Sequence, residues 1–154
     1  MKRYFLTSVV FLGAACAHTI EGTQVSDTRQ NRELVDIIRK VESAMEARNA
    51  AGILEYVSPN YFEDMGTTAA TDDFGYGQLR DKILPESLAA TNEMHIQIQV
   101  QEIQVEGDRA YADVRYSSRA QIQLPTGPLW DTRNELNRIE FAKEGDFWKI
   151  TAGL

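Results

Sequence analysis

Residues able to do chemistry are few in this chain and widely spaced. The two histidines, His18 and His95, lie far apart, whereas a metal centre needs several ligands converging on one point. Asp64, Asp72 and Asp73 stand near a glycine, but they lack the alternating oxygen-ligand spacing of a calcium loop. A solvated acidic loop is therefore expected there, and no metal. Phosphate-cradling glycine loops and a serine elbow are both missing. Gly75-Tyr76-Gly77 follows no strand pattern, so its glycines read as a helix entry. No cofactor is expected. The 16 Lys and Arg against 23 Asp and Glu give the 154-residue chain a net charge of −7. Such an acidic surface repels phosphate backbones, so nucleic acid is not an expected partner.

The only cysteine, Cys16, excludes an intramolecular disulfide. Its position is informative. Met1-Lys2-Arg3 is followed by an apolar run, Tyr4 to Leu12, and then by small residues, Gly13-Ala14-Ala15. A basic tip, a short apolar stretch and small residues make a secretory signal. No apolar run reaches the roughly 20 residues of a membrane span. The small residues ending on Cys16 resemble the lipobox of bacterial lipoproteins, in which the cysteine becomes the lipidated first residue. Gly13 stands where that family usually has Leu, with Leu12 one place further back. Ala15-Cys16-Ala17 also fits ordinary cleavage before His18, which would release a soluble periplasmic or secreted form. The expected organisation is a signal peptide over residues 1–15, a polar tether over 16–29 and a folded domain over 30–154. The membrane is expected as a partner through lipid on Cys16.

Any site must be positioned by the elements of residues 30–154. Between Asn31 and Asn49, apolar residues at 34, 37, 38, 41, 44 and 45 recur in steps of three and four, which predicts one long amphipathic helix. Asp27 with Gln30 predicts its N-cap. Asn49-Ala50-Ala51-Gly52 is expected to break it, before a short helix over Ile53–Val57 stopped by Ser58-Pro59. Tyr61-Phe62 reads as extended, Met65 to Asp73 as a loop, and a third helix starts at Tyr76, its end obscured by Pro85.

After Asn92 the period changes to two. Met94, Ile96, Ile98 and Val100 share one strand face, and the apolar phase then slips to Ile103 and Val105. One extra residue at Gln101-Glu102 predicts a β-bulge. Gly107-Asp108 turns the chain into a strand from Ala110 to Ile122, with Val114, Tyr116 and Ser118 on its apolar face. A strand from about Trp130 to Ala142 and a closing strand from Phe147 to Thr151 complete an antiparallel meander. Helices followed by a meander give an α+β class.

This order resembles the nuclear transport factor 2-like superfamily, which includes polyketide cyclase-like and ketosteroid isomerase-like proteins. The resemblance covers about Arg29 to Leu154. It rests on Ala47-Arg48-Asn49-Ala50-Ala51-Gly52, Tyr61-Phe62, Gly75-Tyr76-Gly77-Gln78-Leu79-Arg80, Gly107-Asp108-Arg109-Ala110 and Gly145-Asp146-Phe147-Trp148-Lys149-Ile150. It implies an α+β cone, also described as cystatin-like, in which three helices close one side of a curved antiparallel sheet. Isomerases, dehydratases, cyclases and binders all use it, so the site must choose the function.

If the apolar faces line the cone, Met94, Ile96, Ile98, Tyr116, Ser118 and Trp148 are its ligand-facing candidates, with Tyr61 and Asn134 at the mouth. That lining suits a small apolar ligand with a few polar contacts. Enolising members of the resembled superfamily place a carboxylate or histidine opposite a neutral donor inside the cone. Here Asp113 and His95 fall on the opposite strand face, so catalysis would have to use Tyr61, Asp64 or Tyr116. The expectation is a non-catalytic binder of a small apolar ligand or a protein partner in the cell envelope. The alternatives are a cofactor-independent isomerase, dehydratase or cyclase acting on an apolar carbonyl compound, or a structural partner in an envelope assembly. The resemblance also implies a homodimer through the outer sheet face, which carries Gln97, Gln99, Arg115, Arg119 and Gln121.

Overall fold

The computed structural model describes residues 18–68 and 70–154. The expected signal peptide and Cys16 lie outside the described residues. Helix α1 spans Arg29–Glu46 and buries Leu34, Val35, Ile38, Val41 and Ala44 as one stripe, the face set by the three-and-four spacing. Its N-cap is Thr28, not Asp27. The Thr28 hydroxyl accepts from the Asn31 N–H at 3.2 Å, while Asp27 pairs with Arg32 at 3.0 Å.

Asn49 begins the next helix rather than merely breaking the first. Its side-chain oxygen accepts from the Gly52 N–H at 3.1 Å, so α2 runs Ala50–Leu54, three residues ahead of the expected span. Short strands β1 (Phe62–Glu63) and β2 (Phe74–Gly75) pair across the intervening loop. A continuous helical stretch follows as α3 (Tyr76–Gln78), a π-helical turn (Leu79–Ile83) and α4 (Leu84–Ala90). Pro85 has no N–H to offer the preceding turn, and its ring would crowd that turn's carbonyl in a regular α-helix. The chain widens just before it, with the Leu84 N–H reaching the Leu79 carbonyl, and so the helix survives.

The sheet is a meander in the order β3-β4-β5-β6, comprising Thr91–Glu106, Arg109–Leu124, Gly127–Glu144 and Phe147–Ala152. The expected bulge is present. Val100 pairs with Val114 and Glu102 with Asp113, leaving Gln101 as the extra residue. The register between β4 and β5 is unbroken, so Leu136 faces out, 73% exposed, while Ile139 and Phe141 face the helices and are buried. β5 also starts earlier than expected, at Gly127. Leu124 and Gly127 close a two-residue turn, so odd-numbered residues of β5 bond to β4 and even-numbered ones point to the opposite edge. The missing N–H of Pro128 therefore costs no ladder bond.

The core lies between α1 and the helix-side face of the sheet, where Ala112, Val114, Ile139, Phe141 and Ile150 pack beneath Leu34, Ile38 and Val41. The edges of the sheet are treated differently. At β3, the Glu46 and Glu42 carboxylates accept from the Ile96 and Ile98 N–H groups at 3.1 and 2.7 Å. At β6, the Ser58 N–H donates to the Ile150 carbonyl and the Ile150 N–H to the Tyr56 carbonyl, both at 2.8 Å.

Candidate functional site

Cross-strand register assembles the inner, helix-side face row by row. Val100, Val114 and Asn137 form one row; Ile98, Tyr116 and Glu135 the next; then Ile96, Ser118 and Arg133; then Met94, Ala120 and Asp131. Along these rows the face changes character. At the narrow end, Ala112 and Val114 are sealed under α1. Over the next three rows, Tyr116, Ser118 and Met94 are half-buried, and Arg133 and Glu135 are exposed. The cone is therefore packed at its narrow end and accessible at its wide end, which α4 enters at Thr91.

Tyr116 is the polar centre of this wide end. Burial pushes its phenol above the ordinary tyrosine range, and a hydrogen bond with Ser118 works against that rise. The Arg133 charge also lowers it and the Glu135 charge raises it. Arg133 is held to Asp131 at 2.8 Å, so the rim carries one ion pair and one further carboxylate. Sequence reasoning missed Asp131, Arg133 and Glu135 as inward residues. Counting back in twos from Ile139 and Phe141 lands on each, but the count holds only because the register of β5 to β4 is unbroken, which the sequence alone does not announce.

The remaining candidates go elsewhere. Tyr61 is 2% exposed. Its hydroxyl donates to Glu63 at 3.0 Å and accepts from the Leu154 N–H at 3.1 Å, and burial drives its phenol far above the usual tyrosine range. Glu63 also accepts from the Gly153 N–H at 2.7 Å. Tyr61 thus pins the C-terminal residues and does not stand at a cone mouth. Asp64 is exposed and accepts from the Gly66 N–H at 2.9 Å, a loop cap. No hydrogen bond among the described residues joins Tyr61 or Asp64 to Tyr116. Asn134 is corrected outright. It pairs with Ser117 on the outer face and approaches Arg115 at 3.5 Å. Trp148 is core, 3% exposed beside Ile150, and its indole N–H has no partner among the described residues. Ile96 is likewise buried, leaving Met94, Ile98, Tyr116 and Ser118 as the accessible part of the expected lining.

His95 faces outward and meets Glu93 at 3.0 Å. Among the described residues no group of three or more His, Cys, Asp or Glu could hold a metal ion. Two surface cavities lie away from the inner strip. One, of about 490 Å³, lies between Ser58, Asn60, Arg109 and Lys143. The other, of about 630 Å³, surrounds Gln101, Arg115 and Leu136.

No family model and no curated protein matches the sequence. Solved structures do match in shape. A conserved protein from Planctomyces limnophilus DSM 3776 superposes with a TM-score of 0.68 at 9% identity, over 80% of this chain and 92% of that one. A chain named Rd1NTF2_05 gives 0.57 at 14% identity, over 80% and 96%. A candidate ketosteroid isomerase from Shewanella frigidimarina NCIMB 400 gives 0.58 at 14% identity, over 77% and 89%. At these identities the likeness establishes the fold: the chain has the nuclear transport factor 2-like, ketosteroid isomerase-like α+β fold.

Proposed function

We propose that this chain is an exported binding module, anchored in the bacterial envelope through lipid on Cys16, that holds a small, largely apolar molecule without transforming it. One observation carries the reading: the inner face passes from sealed core at Val114 to a half-buried strip of Met94, Ile98, Tyr116 and Ser118. An apolar body would lie along Met94 and Ile98, and the Tyr116–Ser118 pair would meet a hydroxyl or carbonyl on the ligand. Enolisation would need a base beside a neutral donor. Tyr61, the most buried donor considered, has its hydroxyl engaged by Glu63 and Leu154, which favours binding over turnover.

The test uses 1-anilinonaphthalene-8-sulfonate as an apolar probe. Saturable binding to the folded protein should weaken at least about tenfold in Met94→Glu, because the new carboxylate must be desolvated against the probe. Leu136→Glu, on the outer face, should leave binding unchanged. Equal loss in both variants, or loss only in Leu136→Glu, would overturn the reading.

A further inference from the structure

We infer that the N-terminal end of α1, closed by a folded clasp of residues 18–27, is the surface that docks on the lipid bilayer. The inference rests on the proposed lipid at Cys16. The polar composition of residues 16–29 predicts a tether, yet from His18 onward the chain is packed. The two aliphatic side chains of the clasp, Ile20 and Val25, are 8% and 5% exposed and join the core cluster that holds Leu34, Val35 and Ile38 of α1. The backbone doubles back on itself. The Ile20 N–H donates to the Val25 carbonyl at 2.9 Å and the Asp27 N–H to the His18 carbonyl at 2.7 Å, with Thr19 and Ser26 bridged between them. Side chains of α1 fasten the clasp from outside. Asn31 donates to the Ser26 carbonyl at 2.9 Å, and Arg39 donates to the Glu21 carbonyl.

Only Ala17 separates Cys16 from this clasp. Two residues span at most about 7 Å, whereas a free chain over residues 16–29 would let the domain stand off by about 20 Å. A lipid on Cys16 therefore brings His18 to the headgroup layer, and with it Asp27 and the first turn of α1. The surface there suits headgroups rather than acyl chains. His18, Ser26, Asp27, Arg29 and Gln30 are exposed, while the aliphatic pair faces inward. Its charges balance in two ion pairs, Arg29–Glu33 and Arg32–Asp27, so this end is not repelled by anionic lipid as the acidic chain as a whole would be. The ligand strip lies at the other end. Glu42 meets Ile98 and Glu46 meets Ile96, so β3 runs against α1, and Arg48, just beyond the helix, donates to the Thr91 carbonyl at 2.7 Å. The 18 residues of α1 separate the two ends by about 27 Å. Docking by the clasp end thus presents the wide end of the cone to the aqueous phase.

Collisional quenching in vesicles tests the docking. Full-length, lipid-modified protein is reconstituted in phosphatidylethanolamine and phosphatidylglycerol vesicles that carry a nitroxide on the headgroup. A bimane label at Gln30→Cys, in the first turn of α1, should lose most of its fluorescence. One at Thr126→Cys, in the turn between β4 and β5, should keep it. A nitroxide deep in the acyl chains should quench neither. Inserting a flexible Gly-Ser linker of about 14 residues between Ala17 and His18 should restore the Gln30→Cys emission while the protein stays on the vesicles. Residue-resolved hydrogen exchange checks the clasp itself, whose Ile20 and Asp27 amides should be protected. Unprotected amides, an unquenched Gln30→Cys label on vesicle-bound protein, or equal quenching at Thr126→Cys would each overturn the inference alone. Protein that stays off the vesicles would overturn the lipid on Cys16 as well, so the two failures are told apart.

Discussion

Glu42 on α1 accepts a 2.7 Å hydrogen bond from the backbone N–H of Ile98, 56 residues further along the chain. Glu46, one helical turn later, does the same for Ile96 at 3.1 Å. The i, i+4 spacing on the helix matches alternate residues of the strand, because a helix rises about 6 Å over four residues and a strand rises about 6.6 Å over two. Two carboxylates thus serve as the partner strand that β3 lacks, and the same residue pair fixes α1 over the inner face.

Glu42→Ala should therefore lower unfolding free energy by about 1.5–3 kcal/mol, the range for a hydrogen bond to a charged group. Glu42→Gln, which keeps an acceptor, should recover part of that loss. Urea denaturation of the three proteins measures it. Glu46 is more exposed, so Glu46→Ala should cost less.

Tyr61 supplies a second, pH-dependent lock. Its phenol ionises far less readily in the folded protein than in the unfolded chain, chiefly because it is buried. The folded state therefore retains a proton that the unfolded state loses above about pH 10. The stabilisation is complete below that pH and is lost progressively as pH rises further. Tyr61→Phe should cost about 1–2 kcal/mol at neutral pH through the lost bonds to Glu63 and Leu154. It should also flatten the alkaline decline. Denaturation midpoints between pH 7 and 11 report both effects.

Gly153 is required where the chain crosses β5. It has φ +87°, and a Cβ there would sit 1.9 Å from the Arg138 carbonyl oxygen. Gly153→Ala must shift the backbone, so a loss of about 1–3 kcal/mol is expected. A thermal melt checks it, with Gly77→Ala as the control, since nothing stands within 4 Å of a Cβ at Gly77.

Lipid attachment at Cys16 is tested by fractionation. In a bacterial host the wild type should follow the membranes and take up labelled fatty acid, whereas Cys16→Ala should do neither. A wild type released in soluble form would indicate ordinary cleavage instead.

The sheet was legible in the sequence where one face was apolar. Period two located β3 and β4, and the phase slip located the bulge at Gln101. Gly107 and Gly145, both at φ +63°, marked the turns. Legibility failed where burial no longer imposes a pattern. Residues 132–138 of β5 are exposed on both faces, so no alternation announces which side Asn134 or Glu135 takes. Only the unbroken register to β4 decides it. Local chemistry misled twice. Asn49 reads equally well as a breaker and as a cap, and Pro85 is accommodated by a π turn that no periodicity anticipates. For the site, Tyr116 and Ser118 followed from strand phase. The engagement of Tyr61 by the C-terminal residues depends on contacts across 93 positions and has no local signal.

Native mass spectrometry of the protein extracted from its own membranes in mild detergent tests ligand binding most directly. A non-covalent small mass should accompany the wild type, be lost on denaturation, and be missing from Met94→Glu while persisting in Leu136→Glu. Wild-type protein that emerges with no bound mass beyond its own modification would contradict the account.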